Sequence, residues 1–133
     1  MADPRLAGRG TAVPAQRLAP CPESPNCVST EAQAADRRHA IAPLTYAGPA
    51  AAALARLRAV VEARPRTEVV AADGGYLHVT FRSLVFRFVD DVQLVVDEAT
   101  ETIRFRSASR VGHSDLGANR RRMERIRRRF AAG

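Results

Sequence analysis

The sequence predicts an α+β fold: a four-stranded antiparallel meander sheet, with an N-terminal-side helix and a C-terminal Arg-rich helix packed on one face. Three observations carry this. Four runs between Arg66 and Ser109 alternate apolar and polar side chains, the period of a half-buried strand. Each run ends at turn-forming residues such as Asp73-Gly74-Gly75. Two flanking stretches carry apolar residues at three- and four-residue spacing instead, the period of an amphipathic helix.

In chain order, residues 1–20 mix Ala, Gly, Pro and Arg without periodicity, which predicts a flexible arm before a single globular domain over 21–133. Cys21 to Ser29 reads as an ordered loop, because Pro22 and Pro25 fix φ and Ser24 and Asn26 offer local bonds to the backbone. Residues 31–39 carry no decisive pattern. Pro49 suits a first helical position, Leu54, Leu57 and Val61 fall on one helix face, and Pro65 stops the helix. A strand over Arg66–Ala72 turns at Asp73-Gly74-Gly75 into Tyr76–Ser83, where Leu77, Val79 and Phe81 form the apolar face. The third strand, Phe86–Asp97, loses its alternation at Asp90 and Asp91, which predicts a bulge there. The fourth is Thr102–Ser109. Ser114 or Asp115 can cap the closing helix, in which Leu116, Asn119, Met123, Ile126 and Phe130 make one buried stripe.

With 133 residues, 46% of them hydrophobic, the chain has room for one real core. All 21 basic residues are Arg and none is Lys, so part of the Arg content reflects coding bias rather than function. A net charge of +7 nevertheless favours anionic partners. No apolar run approaches the ~20 residues of a membrane span. No secretory signal core is visible, and the expected location is cytoplasmic. The oligomeric state stays open.

Three motifs resemble the signatures of domain of unknown function (DUF) family 1499: Cys21-Pro-x-Ser-Pro-Asn-Cys-Val-Ser, Phe88-Val-Asp-Asp, and Arg106-Ser-Ala-Ser-Arg-Val-Gly-x-Ser-Asp-Leu-Gly-x-Asn. The resemblance runs from about Ala19 to Phe130 and brings no assigned activity. Many proteins similar to these carry an N-terminal anchor or export signal, a pattern from which this chain departs.

The candidate chemistry is sparse. Cys21 and Cys27 enclose five residues and could form a disulfide or redox pair; packed thiols are the favoured reading in a reducing cytosol. Cys21, Cys27, His39, His78 and His113 match no zinc spacing, and no cofactor motif is present, so neither metal nor cofactor is expected. His113-Ser114-Asp115 cannot converge as a triad, because consecutive side chains diverge, and a non-enzymatic role is favoured.

The strongest candidate is the junction between the last strand and the last helix. Arg106 and Arg110 would supply charge there. Ser107, Ser109, Ser114 and Asn119 would supply orienting bonds beside a helix N-terminus, together making a site for a small anion. Asp115 could instead fill that terminus itself, leaving a structural knot. In the competing structural account, Asp90, Asp91, Asp115 and Asn26 pair with arginines and polar groups to hold the Cys21–Ser29 loop. The second functional reading is nucleic-acid or acidic-partner binding through Arg121, Arg125 and Arg128 of the last helix, with Tyr76 nearly alone as an exposed stacking residue.

Overall fold

The last strand is the centre of the sheet's connectivity. The computed structural model describes residues 18–85, 87–112 and 114–132. Its elements are β1 (Cys27–Ser29), β2 (Leu44–Thr45), α1 (Ala50–Glu62), β3 (Thr67–Asp73), β4 (Tyr76–Arg82), β5 (Val89–Asp97), β6 (Thr102–Ser109) and α2 (Ala118–Ala132). The strand order is β1-β6-β5-β4-β3, all neighbours antiparallel, and β2 also pairs with β6.

The sheet therefore has six strands rather than the expected four. The meander β3–β6 is joined by two short strands on the free edge of β6, where Cys27 faces Ala108 and Leu44 faces Ile103. Three- and two-residue strands are too short to display a period, so the sequence pattern missed them.

The β3–β4 hairpin closes through Gly74-Gly75 with Asp73 opposite Tyr76, and Gly74 has φ of 60°, a conformation that suits glycine in a two-residue turn. The bulge lies in this hairpin, between Val69 and Ala71, and not at Asp90 and Asp91. Those two acids pair in unbroken register with Ser109 and Ala108. Asp90 occupies an inward position ahead of Val92 and Leu94, so an acid stands where the pattern calls for an apolar residue and the alternation itself never slips. Strand β5 begins at Val89; the expected start at Phe86 lies outside the described residues.

Buried side chains from α1 (Ala53, Leu57, Val61) and α2 (Met123, Ile126, Phe130) share one hydrophobic cluster with Leu77, Val79, Val92, Leu94, Ile103 and Phe105. The strand members alternate, so one sheet face supplies them all. Each such aliphatic side chain contributes roughly 1.5–3 kcal/mol by leaving water. Leu116, expected in the helical stripe, instead precedes the helix with φ of 55° and is 83% exposed. The turn that lets the chain enter α2 takes it out of helical phase.

The opposite sheet face carries Tyr76, His78, Asp91, Gln93, Val95, Arg104 and Arg106. Leu18 is buried there in a second cluster with Tyr76 and Val95. Tyr76 is accordingly 7% exposed rather than free for base stacking. Of the arm expected over residues 1–20, residues 1–17 lie outside the described residues, and Leu18 is packed against the sheet.

Candidate functional site

Strand alternation sorts the expected junction residues before any ligand is considered. Ser107 and Ser109 point to the core face with Ile103 and Phe105, whereas Arg106 and Arg110 point to the other. On the core face, Asn119 is fully buried at the second position of α2 and acts as a hub. Its Oδ1 accepts from Ser107 Oγ at 2.6 Å and Arg122 Nη1 at 2.9 Å. Its Nδ2 donates to Asp115 Oδ2 at 2.7 Å, Ser109 Oγ at 3.0 Å and the Asn26 carbonyl at 3.2 Å. A buried amide needs such partners at both ends.

Asn26 extends the network into the Cys21–Ser29 loop. Its Nδ2 donates to the Gly112 carbonyl at 2.7 Å, its Oδ1 accepts from Ser24 Oγ at 2.8 Å, and its carbonyl also accepts from the Ser109 N–H at 3.0 Å. Asp115 stands at the start of α2, where Oδ1 accepts from the Gly117 N–H at 2.8 Å and Oδ2 from the Asn119 N–H at 3.0 Å. Burial pushes the Asp115 carboxyl up, but the bonds from Asn119 and Gly117 together hold it below the usual carboxylate value. Ser114 is exposed, its Oγ accepting from the Leu116 N–H at 3.2 Å.

On the opposite face, Arg110 holds Asp91 through two bonds, Nε to Oδ2 at 2.7 Å and Nη2 to Oδ1 at 3.0 Å. His78 Nε2 lies 2.8 Å from Asp91 Oδ1. The Arg110 guanidinium chiefly, aided by His78, keeps the Asp91 carboxyl below its usual value against the effect of burial. Arg106 differs from its neighbours. Its Nη2 reaches the Pro20 carbonyl only at 3.5 Å, and its buried Nε has no partner. Burial draws its pKa down, partly opposed by the Asp91 charge.

Cys21 and Cys27, favoured as packed thiols, form a disulfide with Cα atoms 5.8 Å apart. The proline-bearing loop brings them to the separation that such bonds require. Asp90 and Asp91 face opposite ways: Asp91 meets Arg110, and Asp90 accepts from Arg122 Nη2 at 2.7 Å.

Several working residues were missed. Arg122 gave no signal in a helix crowded with arginines. His39 is buried, with Nδ1 2.8 Å from Asp36 Oδ2 and Nε2 2.8 Å from the Ser24 carbonyl. Arg120 donates to the Ala40 carbonyl, and Arg127 to the Ala42 and Pro43 carbonyls, so both clamp the segment before α1. Arg121 turns back to the Leu116 carbonyl at 2.6 Å. Among the described residues no three His, Cys, Asp or Glu side chains converge as metal ligands, and no helix is long and apolar enough to cross a membrane.

The family model described as protein of unknown function (DUF1499) matches residues 17–130. No curated protein and no solved structure matches the chain.

Proposed function

The chain belongs to the DUF1499 family of proteins of unknown function, and from that premise we propose that it is a non-enzymatic domain binding a small anion, with Arg106 as the charged contact. In this reading α1 and α2 both cover the Leu77–Phe105 face and leave the Tyr76–Arg106 face for the ligand. Ser107, Ser109 and Asn119 act as the rigid backing that fixes β6, and Arg110 stays with Asp91. Ser114 completes the turn.

One observation carries the reading: the Arg106 Nε is buried without a hydrogen-bond partner. Leaving a charged donor unsatisfied costs more than an ordinary missing bond, and a carboxylate or phosphate oxygen taking Nε and one Nη would relieve it in the bidentate manner of guanidinium pairs. Titration with small carboxylates and phosphate, followed on the Arg106 Nε–H resonance, tests it. Saturable shifts of that resonance, accompanied by shifts of the neighbouring Gln93 and Ser107 backbone amides that disappear in Arg106→Met, support the site. An unmoved resonance at millimolar anion rejects it.

The alternative, nucleic-acid or acidic-partner binding through α2, draws support from Arg125 and Arg128, whose side chains make no hydrogen bond among the described residues. Binding that falls steeply with salt and depends on Arg121, Arg125 and Arg128 would favour it. The Cys21–Cys27 bond supports an oxidising compartment over the cytoplasmic reading, because reducing cytosol opens such bonds.

A further inference from the structure

A second cationic feature lies beside the first half of α2, bordering the junction network at Arg122, and uses none of the residues assigned above to the ligand. Three separated segments meet there: Arg64-Pro65-Arg66 after α1, Phe81-Arg82-Ser83 at the end of β4, and Arg122 with Arg125 on α2. They enclose a recess of about 160 Å³ lined by five guanidinium-bearing residues and no Asp or Glu.

The local folding explains how so many like charges come together. Arg66 has φ of 57°, a left-handed conformation uncommon outside glycine, and it turns the chain sharply from helix to strand. Backbone and side chain then lock it to the neighbouring strand, the Arg82 N–H donating to the Arg66 carbonyl at 3.0 Å and Arg66 Nε to the Arg82 carbonyl at 3.1 Å. Arg122 is fixed from behind by Asp90 and lies over the Phe81 ring, 4.8 Å from its centroid. Arg64 and Arg125 are half-buried, and among the described residues their side chains make no hydrogen bond or ion pair.

Among the described residues the charges are not balanced. Asp90 is the one described carboxylate that pairs with any of the five, and it is committed to Arg122. Burial chiefly, and after it the charges of Arg125, Arg129, Arg122 and Arg66, lower the pKa of Arg64. An anion with one negative charge would leave most of this charge uncompensated. The volume is below the ~300–1,000 Å³ typical of pockets for drug-sized ligands, so the recess suits a charged group rather than a whole cofactor. Guanidinium forks match phosphate oxygens bidentately.

We propose that the recess lined by Arg64, Arg66, Arg82, Arg122 and Arg125 binds a compact, multiply charged phosphate oxyanion, free pyrophosphate or a terminal phosphate ester group. The site is independent of Arg106.

Calorimetric titration of the full chain with pyrophosphate, inorganic phosphate and acetate at one ionic strength tests the proposal. Pyrophosphate binds most tightly, phosphate less so, and acetate not measurably. The double variant Arg64→Gln/Arg125→Gln weakens pyrophosphate at least tenfold with an unchanged melting temperature, because neither side chain supports another. Arg128→Gln and Arg106→Met each leave affinity within twofold. A parallel arm with vesicles carrying a phosphomonoester lipid distinguishes sources: competition by soluble pyrophosphate assigns both to one recess. No pyrophosphate binding, equal loss in Arg106→Met or Arg128→Gln, or an oligonucleotide that binds without competition from pyrophosphate overturns the proposal.

Discussion

Arg122 on α2 and Asp90 on β5 form an ion pair 2.7 Å long, with side chains only 16% and 12% exposed, at the core-facing side of the sheet. The same guanidinium donates through Nη1 to Asn119 Oδ1, so the pair is continuous with the buried amide network. Asp90→Asn would remove the carboxylate and leave Arg122 partly buried without its counter-charge. Breaking a buried pair from one side costs about 3–5 kcal/mol, and the remaining exposure places the expected loss at about 3 kcal/mol. Urea denaturation of Asp90→Asn, Arg122→Met and the double variant checks this. The double variant should be less unstable than the sum of the singles.

Asn119→Leu keeps the branched side-chain shape but removes both polar ends of the hub. Ser107 Oγ, Ser109 Oγ and the Asn26 carbonyl each lose a buried partner. At about 1–3 kcal/mol for a stranded buried group, partial rearrangement included, the expected loss is about 3 kcal/mol. Hydrogen exchange should rise at the Ser109 amide, which donates to Asn26. Retained protection there would mean that the loop is held by something else.

Acid should weaken the fold through Asp91 and Asp115, whose carboxyls are both held below their usual values. A depressed folded-state pKa contributes stability that is fully present above the unfolded value of about 3.9 and is lost as pH falls through the folded value. Stability should therefore fall below about pH 4, and the slope there should flatten in Asp91→Asn/Asp115→Asn. An unchanged slope in that variant would assign the acid sensitivity elsewhere.

The long elements were legible because their periods were long enough to count: seven to nine residues in each of β3–β6, and two helical stripes of which Asn119, Met123, Ile126 and Phe130 are buried as read. The junction motif was legible as a special stretch but not as a geometry. Arg106 and Ser107 are adjacent in sequence and therefore face opposite sides of the sheet. Asp90 resembled a break in the pattern because its partner lies 32 residues away on another element. The arginine recess was invisible for a related reason. Each of its three segments is unremarkable in a chain with 21 arginines, and only the fold brings them around one space.

Reducing the Cys21–Cys27 bond should lower stability without unfolding the domain. The bond spans six positions, and closing so short a loop restricts the unfolded chain by about 2 kcal/mol in the entropy model. A Cys21→Ser/Cys27→Ser variant should show the same loss and no further response to reductant. Continued sensitivity of that variant to reductant would contradict this, since no free cysteine remains in the chain to respond.

Leu18 lies on the sheet face opposite the main core. It is 6% exposed and packs with Tyr76 and Val95, while Tyr76 Oη accepts from Gln93 Nε2 at 2.9 Å. Two residues on, the Pro20 carbonyl approaches Arg106 Nη2. The segment ahead of the disulfide is thereby fastened to the sheet at an apolar anchor and leads directly to Arg106, whose buried Nε is stranded. Leu18→Ala removes the anchor. Truncating a buried leucine costs about 2–5 kcal/mol, and the low end, about 2 kcal/mol, is expected because this cluster is small and can close up. If the segment helps bury Arg106, its release should also expose the guanidinium, so exchange of the Arg106 Nε–H should accelerate in Leu18→Ala while the Asp91–Arg110 pair is unaffected. A stability loss with unchanged Arg106 exchange would separate the two, leaving Leu18 as a packing residue with no influence on the anion contact.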